Sequence, residues 1–316
     1  MSARSSAPLV IVLLAALGCS SGPEGANGGL VGPGGEPVDR GPPAVVLLTD
    51  FGLADDAVGL MRGVIHTRAP RSQILDLCHQ VPRFDVRAGS RLLADAPGYY
   101  PPGTVFVVVV DPGVGTARRA VVARLPNGTL IVAPDNGVLS EALRRHGPAV
   151  VREVLNRDLL LPARSATFHG RDVFAPVGGS LAAGAAFDKV GPVRGDFVLL
   201  EPSQGHVEGQ ALVGEIEAID EPFGNVWTNL PEEMLARIGA DRGDRLRVTI
   251  GDKPPLSLPL AATFGEVPRG EPLAYPNSRG RVALALNMAD FARTHGVQAG
   301  ASIRIERDRS ASPRKP

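Results

Sequence analysis

Two apolar runs that each end in an aspartate, at 44–50 (AVVLLTD) and 105–111 (VFVVVVD), constrain this 316-residue chain more than any other feature. A strand apolar at every position is buried on both faces, and such strands belong to largely parallel sheets covered by helices. In those sheets the functional loops lie beyond the carboxyl ends of the strands, where Asp50 and Asp111 fall. Further apolar runs at 74–77, 121–125 and 130–132 alternate with helical spacing at 57–67, 87–96 and 173–185. That alternation predicts an α/β domain over 44–193.

Beyond a Gly-, Pro- and Ser-containing stretch at 194–207, which reads as a linker, the pattern changes. Short runs at 213–219, 245–250, 272–275, 281–286 and 302–305 are separated by turns, with one helix predicted at 232–238. They predict a smaller C-terminal β-barrel or sandwich domain over 208–306. The charged tail 307–316 reads as disordered.

At the other end, Arg4 precedes an apolar run at 7–17 that stops at Gly18-Cys19. It is too short to span a bilayer and reads as a lipoprotein signal peptide over 1–19, with Cys19 lipidated; a plain secretory signal is the alternative. Residues 20–43, dominated by Gly and Pro, read as a flexible tether. The expectation is a cell-envelope protein that meets the membrane only through its lipid. With Cys19 so used, Cys78 has no disulfide partner among the two cysteines. Lys+Arg and Asp+Glu both number 33, so no positive excess exists to follow a nucleic-acid backbone.

Four polar clusters sit at the ends of the apolar runs. The first, 49–56 (TDFGLADD), carries three carboxylates; Asp50 ends its strand and suits a vicinal diol, whereas Asp55 and Asp56 serve equally as helix caps. In the second, 111–119 (DPGVGTARR), a tight turn brings Arg118 back toward Asp111, as a functional pair or a structural one. The third, 167–172 (TFHGRD), offers His169 as acid, base or water holder, or as a packing residue. The fourth combines 220–229 (DEPFGNVWTN) with 275–280 (YPNSRG), read as loops whose Phe, Trp and amides suit a purine, although Trp227 also fits a core. Asp50, Asp55, Asp111, Asp135 and His169 admit a hydrolytic metal site, but no H-x-H, H-E-x-x-H or D-x-D spacing calls for one.

Taken together, TDFGLADD, DPGVGTARR, APDNG (133–137), TFHGRD, IDEPFGNVWTN (219–229) and NSRGR (277–281) resemble the S-adenosyl-L-methionine (SAM) hydroxide adenosyltransferases. These are relatives of the SAM-dependent halogenases, and the resemblance runs from about Val45 to Ile305. It implies hydrolysis of SAM at C5′ to adenosine and L-methionine, with SAM as substrate, no cofactor and no metal. It also implies that Asp111, Arg118 and His169 hold the attacking water; the fluorinating enzyme has Tyr and Ser where this chain has Asp111 and Gly170. Asp50 would take the ribose hydroxyls, Asp55 and Asp220 the methionine amino end, and Ser278 and Arg279 its carboxylate. Asn225 would read the adenine edge, with Phe223, Phe264 and Phe84 supplying apolar contact. A homotrimer is implied, each site lying between the α/β domain of one subunit and the β domain of its neighbour. Ala57, Leu286 and Met288 depart from halogenase residues. The alternative is a noncatalytic envelope lipoprotein that binds SAM or adenosine.

Overall fold

The structure, a computed structural model, describes residues 41–162 and 165–310. The expected signal peptide, Cys19, nearly all of the expected tether and residues 311–316 lie outside the described residues.

The N-terminal domain is built from β1 (Val45–Thr49), α1 (Ala57–Arg68), β2 (Ile74–Cys78), α2 (Val86–Ala94), β3 (Val105–Val109), β4 (Ala120–Arg124), β5 (Leu130–Pro134), α3 (Ser140–His146), β6 (Val150–Glu153) and α4 (Ala175–Ala182). Its six strands lie in the order β2-β1-β3-β5-β4-β6. The β1–β2, β1–β3 and β3–β5 pairs are parallel, while β4 runs antiparallel to both neighbours. The reversal at β4 follows from chain length: residues 125–129 close a hairpin but are too few for a crossover.

The apolar runs are continuous because both sheet faces are covered. Val45, Leu47, Val105, Val107 and Val109 pack with α1 and α4 residues such as Met61, Ile65 and Val177. Their neighbours Val46, Leu48, Phe106, Val108 and Val110 pack on the opposite face with Ala88 and Leu93 of α2 and Ala142 of α3. Successive residues serve opposite layers, as a strand's period of two requires. Helix α4 lies close to β3 because Gly178 has no side chain: a Cβ there would sit 2.3 Å from Val107 Cγ2. The helix expected at 173–185 begins as a single π turn, Gly170–Phe174, directly behind His169.

The C-terminal domain comprises β7 (His206–Glu208), β8 (Ala211–Asp220), β9 (Asn225–Pro231), β10 (Arg245–Ile250), β11 (Leu256–Pro259), β12 (Pro272–Pro276), β13 (Arg281–Leu286), α5 (Phe291–His295) and β14 (Ser302–Arg307). The main order is β11-β10-β14-β8-β9-β13-β12, with β7 on β8. A bridge from Leu260 to Ala274 draws the two ends together into a nearly closed barrel. Its interior holds Leu212, Val226, Leu246, Leu284 and Phe291, among others. The expected helix at 232–238 is 3₁₀ in form. Asn225 and Trp227, read as loop residues, stand on β9, because only 221–224 are needed for the turn from β8. The presumed linker is fastened down: Val198 N–H donates to Asp135 Oδ1 at 2.7 Å and Leu200 N–H to Ser140 Oγ at 2.8 Å.

Candidate active site

In the order β2-β1-β3, the chain reverses its direction across the sheet between β1 and β3, and such a switch point opens a crevice at the strand ends. Asp50 follows β1 and Asp111 follows β3, so the two aspartates flank that crevice. A cleft of about 590 Å³ there is lined by Asp50, Asp55, Phe84, Asp111, His169 and Gly170, together with Phe51, Val109 and Phe168. Asp50 accepts a 2.9 Å bond from Phe84 N–H. Asp55, one residue before the N-cap Asp56, accepts a 3.0 Å bond from Ala57 N–H at the start of α1 and also lines the cleft, whereas Asp56 makes no side-chain cap bond.

Arg118 joins the other two polar groups. Its Nε donates to Asp111 Oδ1 at 3.0 Å, Nη2 pairs with Oδ2, and Nη2 also lies 2.9 Å from His169 Nδ1. The Asp111 and Arg118 side chains are only 4% and 8% exposed. Since guanidinium donates and never accepts, His169 Nδ1 must be the acceptor, which places the imidazole proton on Nε2. Burial, and next the Arg118 charge, hold the His169 pKa below its ordinary 6.5, so the ring is neutral at neutral pH. The set therefore presents a carboxylate acceptor and an imidazole N–H donor. Gly170 is closely packed: a Cβ would lie 3.1 Å from both Phe168 and Phe51 and 3.2 Å from Met61 Sδ. A serine would crowd all three.

A second cleft, of about 780 Å³, opens on the barrel and shares no lining residue with the first. Asp220, Phe223, Asn225, Trp227, Phe264, Tyr275, Ser278 and Met288 line it. Asn225 Nδ2 donates to Asp220 Oδ2 at 2.9 Å, which fixes the amide and leaves its oxygen and second N–H to read a ligand edge. The turn before Asn225 needs glycine: Gly224 has φ 71°, and a Cβ there would meet Asp290 Oδ1 at 2.0 Å. Phe264 and Tyr275 pack at 4.8 Å, and burial pushes the Tyr275 phenol up to about 12, so it stays an O–H donor.

Arg279 is placed elsewhere. Its guanidinium donates to Arg91 O at 2.9 Å, pairs with Asp95 at 3.3 Å and lies over Trp227, at the seam between the domains. Asp135 is likewise apart from the cleft, held by Arg119. No cluster of three or more potential metal-ligating side chains occurs among the described residues. Sequence reasoning passed over Phe51, Phe168 and Tyr275 as site residues, although all three stand inside the quoted motifs and could have been found there. Each cleft also carries one of the two non-glycine residues with left-handed backbone among the described residues, Phe84 (φ 66°) and Met288 (φ 57°). Such conformations persist where surrounding structure enforces them.

Acidic and cationic groups gathered at the switch point of a parallel sheet, with an aromatic cleft on an attached barrel, define a two-domain enzyme acting on a small molecule. Models of the SAM hydroxide adenosyltransferase N-terminal and C-terminal domains match residues 45–191 and 214–304, and the chain belongs to that family. It is 38% identical over 275 residues to an (R)-S-adenosyl-L-methionine hydrolase from Salinispora tropica, covering 83% of this chain and 97% of that protein. A fluorinase from Actinopolyspora mzabensis is 33% identical over 293 residues, covering 84% and 97%. The crystal structure of an uncharacterized conserved protein from Thermotoga maritima superposes with a TM-score of 0.79 at 39% identity, covering 83% of this chain and all of that one.

These matches correct the expected envelope location. The alignments take in 97% of the Salinispora tropica hydrolase and 98% of one from Thermus thermophilus but only 83% of this chain, and the family match begins at residue 45. No helix among the described residues is long and apolar enough to cross a membrane. The placement as a lipid-anchored envelope protein is withdrawn.

Proposed function

We propose that the chain hydrolyses SAM at C5′, releasing adenosine and L-methionine. The observation that carries this reading is Arg118 bridging Asp111 and His169 across the crevice from Asp50. Water would donate one proton to Asp111 and accept from His169 Nε2–H, directing an oxygen lone pair at C5′. As the C–O bond forms, the C5′–S electrons return to sulfur, which leaves as the neutral thioether of methionine. The proton passes through Asp111 to solvent. The leaving group is activated by its own positive charge, so alignment and proton acceptance are what the protein adds, and no metal is required. A carboxylate at this point repels a halide, and Gly170 offers no hydroxyl to bind one.

Asp50 would hold the ribose diol, Asn225 the adenine edge, Phe223 and Phe84 its apolar flanks, and Asp55, Asp220 and Ser278 the methionine end. These residues are divided between two open clefts, and Phe84, Phe223 and Met288 at the rims are 69%, 66% and 73% exposed. Large apolar side chains exposed at a half-site suit a face that another subunit covers. We therefore infer a homotrimer in which the barrel cleft of one subunit completes the α/β cleft of its neighbour.

Incubating the full chain with the (R) and (S) sulfonium epimers separately, and following adenosine and methionine by chromatography, tests the activity. Turnover of the (R) form is expected, since the hydrolase relatives are named for it, and it should survive EDTA. Tight binding without adenosine release would favour a noncatalytic binder.

The pH profile follows from the lowered His169 pKa. Above 6.5 the ring is neutral in folded and unfolded chain alike, and its arrangement is intact. As pH falls below 6.5, the unfolded chain takes the proton first, so stability declines; at the lower folded pKa the ring itself charges and Nδ1 ceases to accept from Arg118. The acid limb of kcat is expected to have its midpoint below 6.5, and a His169→Gln variant should lose that limb.

A further inference from the structure

The loop after β1 and the loop after β2 are laced together beneath Asp50. Gly52 N–H donates to His79 O at 2.6 Å, and Val81 N–H to Thr49 O at 3.4 Å. Phe84 N–H, further along the second loop, donates to the Asp50 carboxylate. Between them lies the His79 ring, only 5% exposed, with Nδ1 2.8 Å from the fully buried Thr49 Oγ1. Its Nε2 lies 3.1 Å from Asp76 Oδ1, an electrostatic pairing rather than a well-aligned hydrogen bond, and Asp76 is held in turn by Arg62 at 2.5 Å.

The direction of this chain of contacts can be assigned. A carboxylate beside Nε2 favours the proton there, which leaves Nδ1 as acceptor for the Thr49 hydroxyl. Thr49 Oγ1 then offers a lone pair to Phe51 N–H, 3.3 Å away. Phe51 and Thr49 are the two neighbours of Asp50 in sequence, so the ring braces the backbone on either side of that carboxylate. It also fixes the start of the loop that carries Phe84, whose left-handed backbone is tied to Asp50.

We propose that His79 is a positioning residue for nucleoside recognition: through Thr49 and the loop it anchors, it aims Asp50. The proposal rests on the reading of Asp50 as the holder of the ribose diol. His79 touches no substrate in it, and its effect should fall on the contacts made by Asp50 rather than on the water held by Asp111.

The test compares adenosine with 2′-deoxyadenosine by calorimetry on the full chain and on His79→Ala. The unmodified protein should prefer adenosine, because both hydroxyls meet Asp50. In the variant, adenosine should bind about tenfold more weakly, while 2′-deoxyadenosine changes by less than about threefold, so that the preference collapses. Thr49→Val, of nearly the same shape, should reproduce the collapse if removal of the ring impairs folding. His79→Asn, which can restore an acceptor toward Thr49, should recover part of the preference. A preference that is undiminished in both His79→Ala and Thr49→Val, or equal losses for the two nucleosides, would overturn the role of His79. Absence of any preference in the unmodified protein would instead overturn the diol assignment of Asp50, and the positioning role with it.

Discussion

Replacing Asp111 with Asn is expected to lower kcat for SAM by about a thousandfold while adenosine affinity changes by less than about threefold, because proton acceptance in the transition state is what the substitution removes. The amide has the carboxylate's shape, so the cleft keeps its outline. It cannot keep the chemistry. One of its two heads is an NH₂, which would face an Arg118 N–H where a carboxylate oxygen now accepts. The remaining oxygen is neutral and too weak a base to draw a proton from water. Arg118 would also be left as a buried cation with only half its partner, and removing one member of such a pair costs about 3–5 kcal/mol of stability. A lower melting temperature should accompany the loss of turnover, and saturating adenosine should restore part of it. Single-turnover measurement and calorimetry separate the outcomes: equal losses in kcat and in adenosine affinity would make Asp111 a binding group instead.

That the pair could be read from sequence at all has a simple reason. Asp111 and Arg118 are seven residues apart, and Pro112, Gly113 and Gly115 leave the intervening chain little choice but to turn back. Asp50 was legible for the same kind of reason, as the first charged group after a run buried on both faces. What local pattern cannot carry is contact across the fold. His79 meets Thr49 thirty positions away, and nothing in DLCHQ marks the histidine as lying under the site. Arg279 shows a different failure. It adjoins Ser278, which lines the barrel cleft, but neighbouring residues in a turn point different ways, and Asp95 and the Arg91 carbonyl draw it to the domain seam. Trp227, read as a loop residue that also fits a core, packs against a buried cluster from β9, where Asn225, Trp227 and Asn229 recur with the period of a strand. The separation of the two clefts lay beyond any local pattern, since it depends on where the barrel cleft lies relative to the sheet.

The proposed pairing of the two clefts between subunits predicts the behaviour of mixed assemblies. Asp111→Asn disables the α/β half. Asn225→Asp disables the barrel half, because it sets a second carboxylate against Asp220, whose Oδ2 now accepts from the Asn225 amide at 2.9 Å. Each variant alone should be almost inactive, and so should a mixture of the two separately purified variants. Coexpressed, the chains assemble together, and a site formed between subunits draws its two halves independently. One combination in four then unites an intact α/β half with an intact barrel half, so activity should return to about a quarter of the unmodified value. If both halves came from one chain, every site would contain a disabled half and coexpression would restore nothing. Different affinity tags on the two chains, purified in sequence, leave only mixed assemblies; in a trimer each of these holds one intact site in three, so the purified material should show about a third of the unmodified value. The gain is from near zero to a readily measured rate, and no stabilising effect of one variant on the other can imitate it, because no single chain in the mixture carries both working halves.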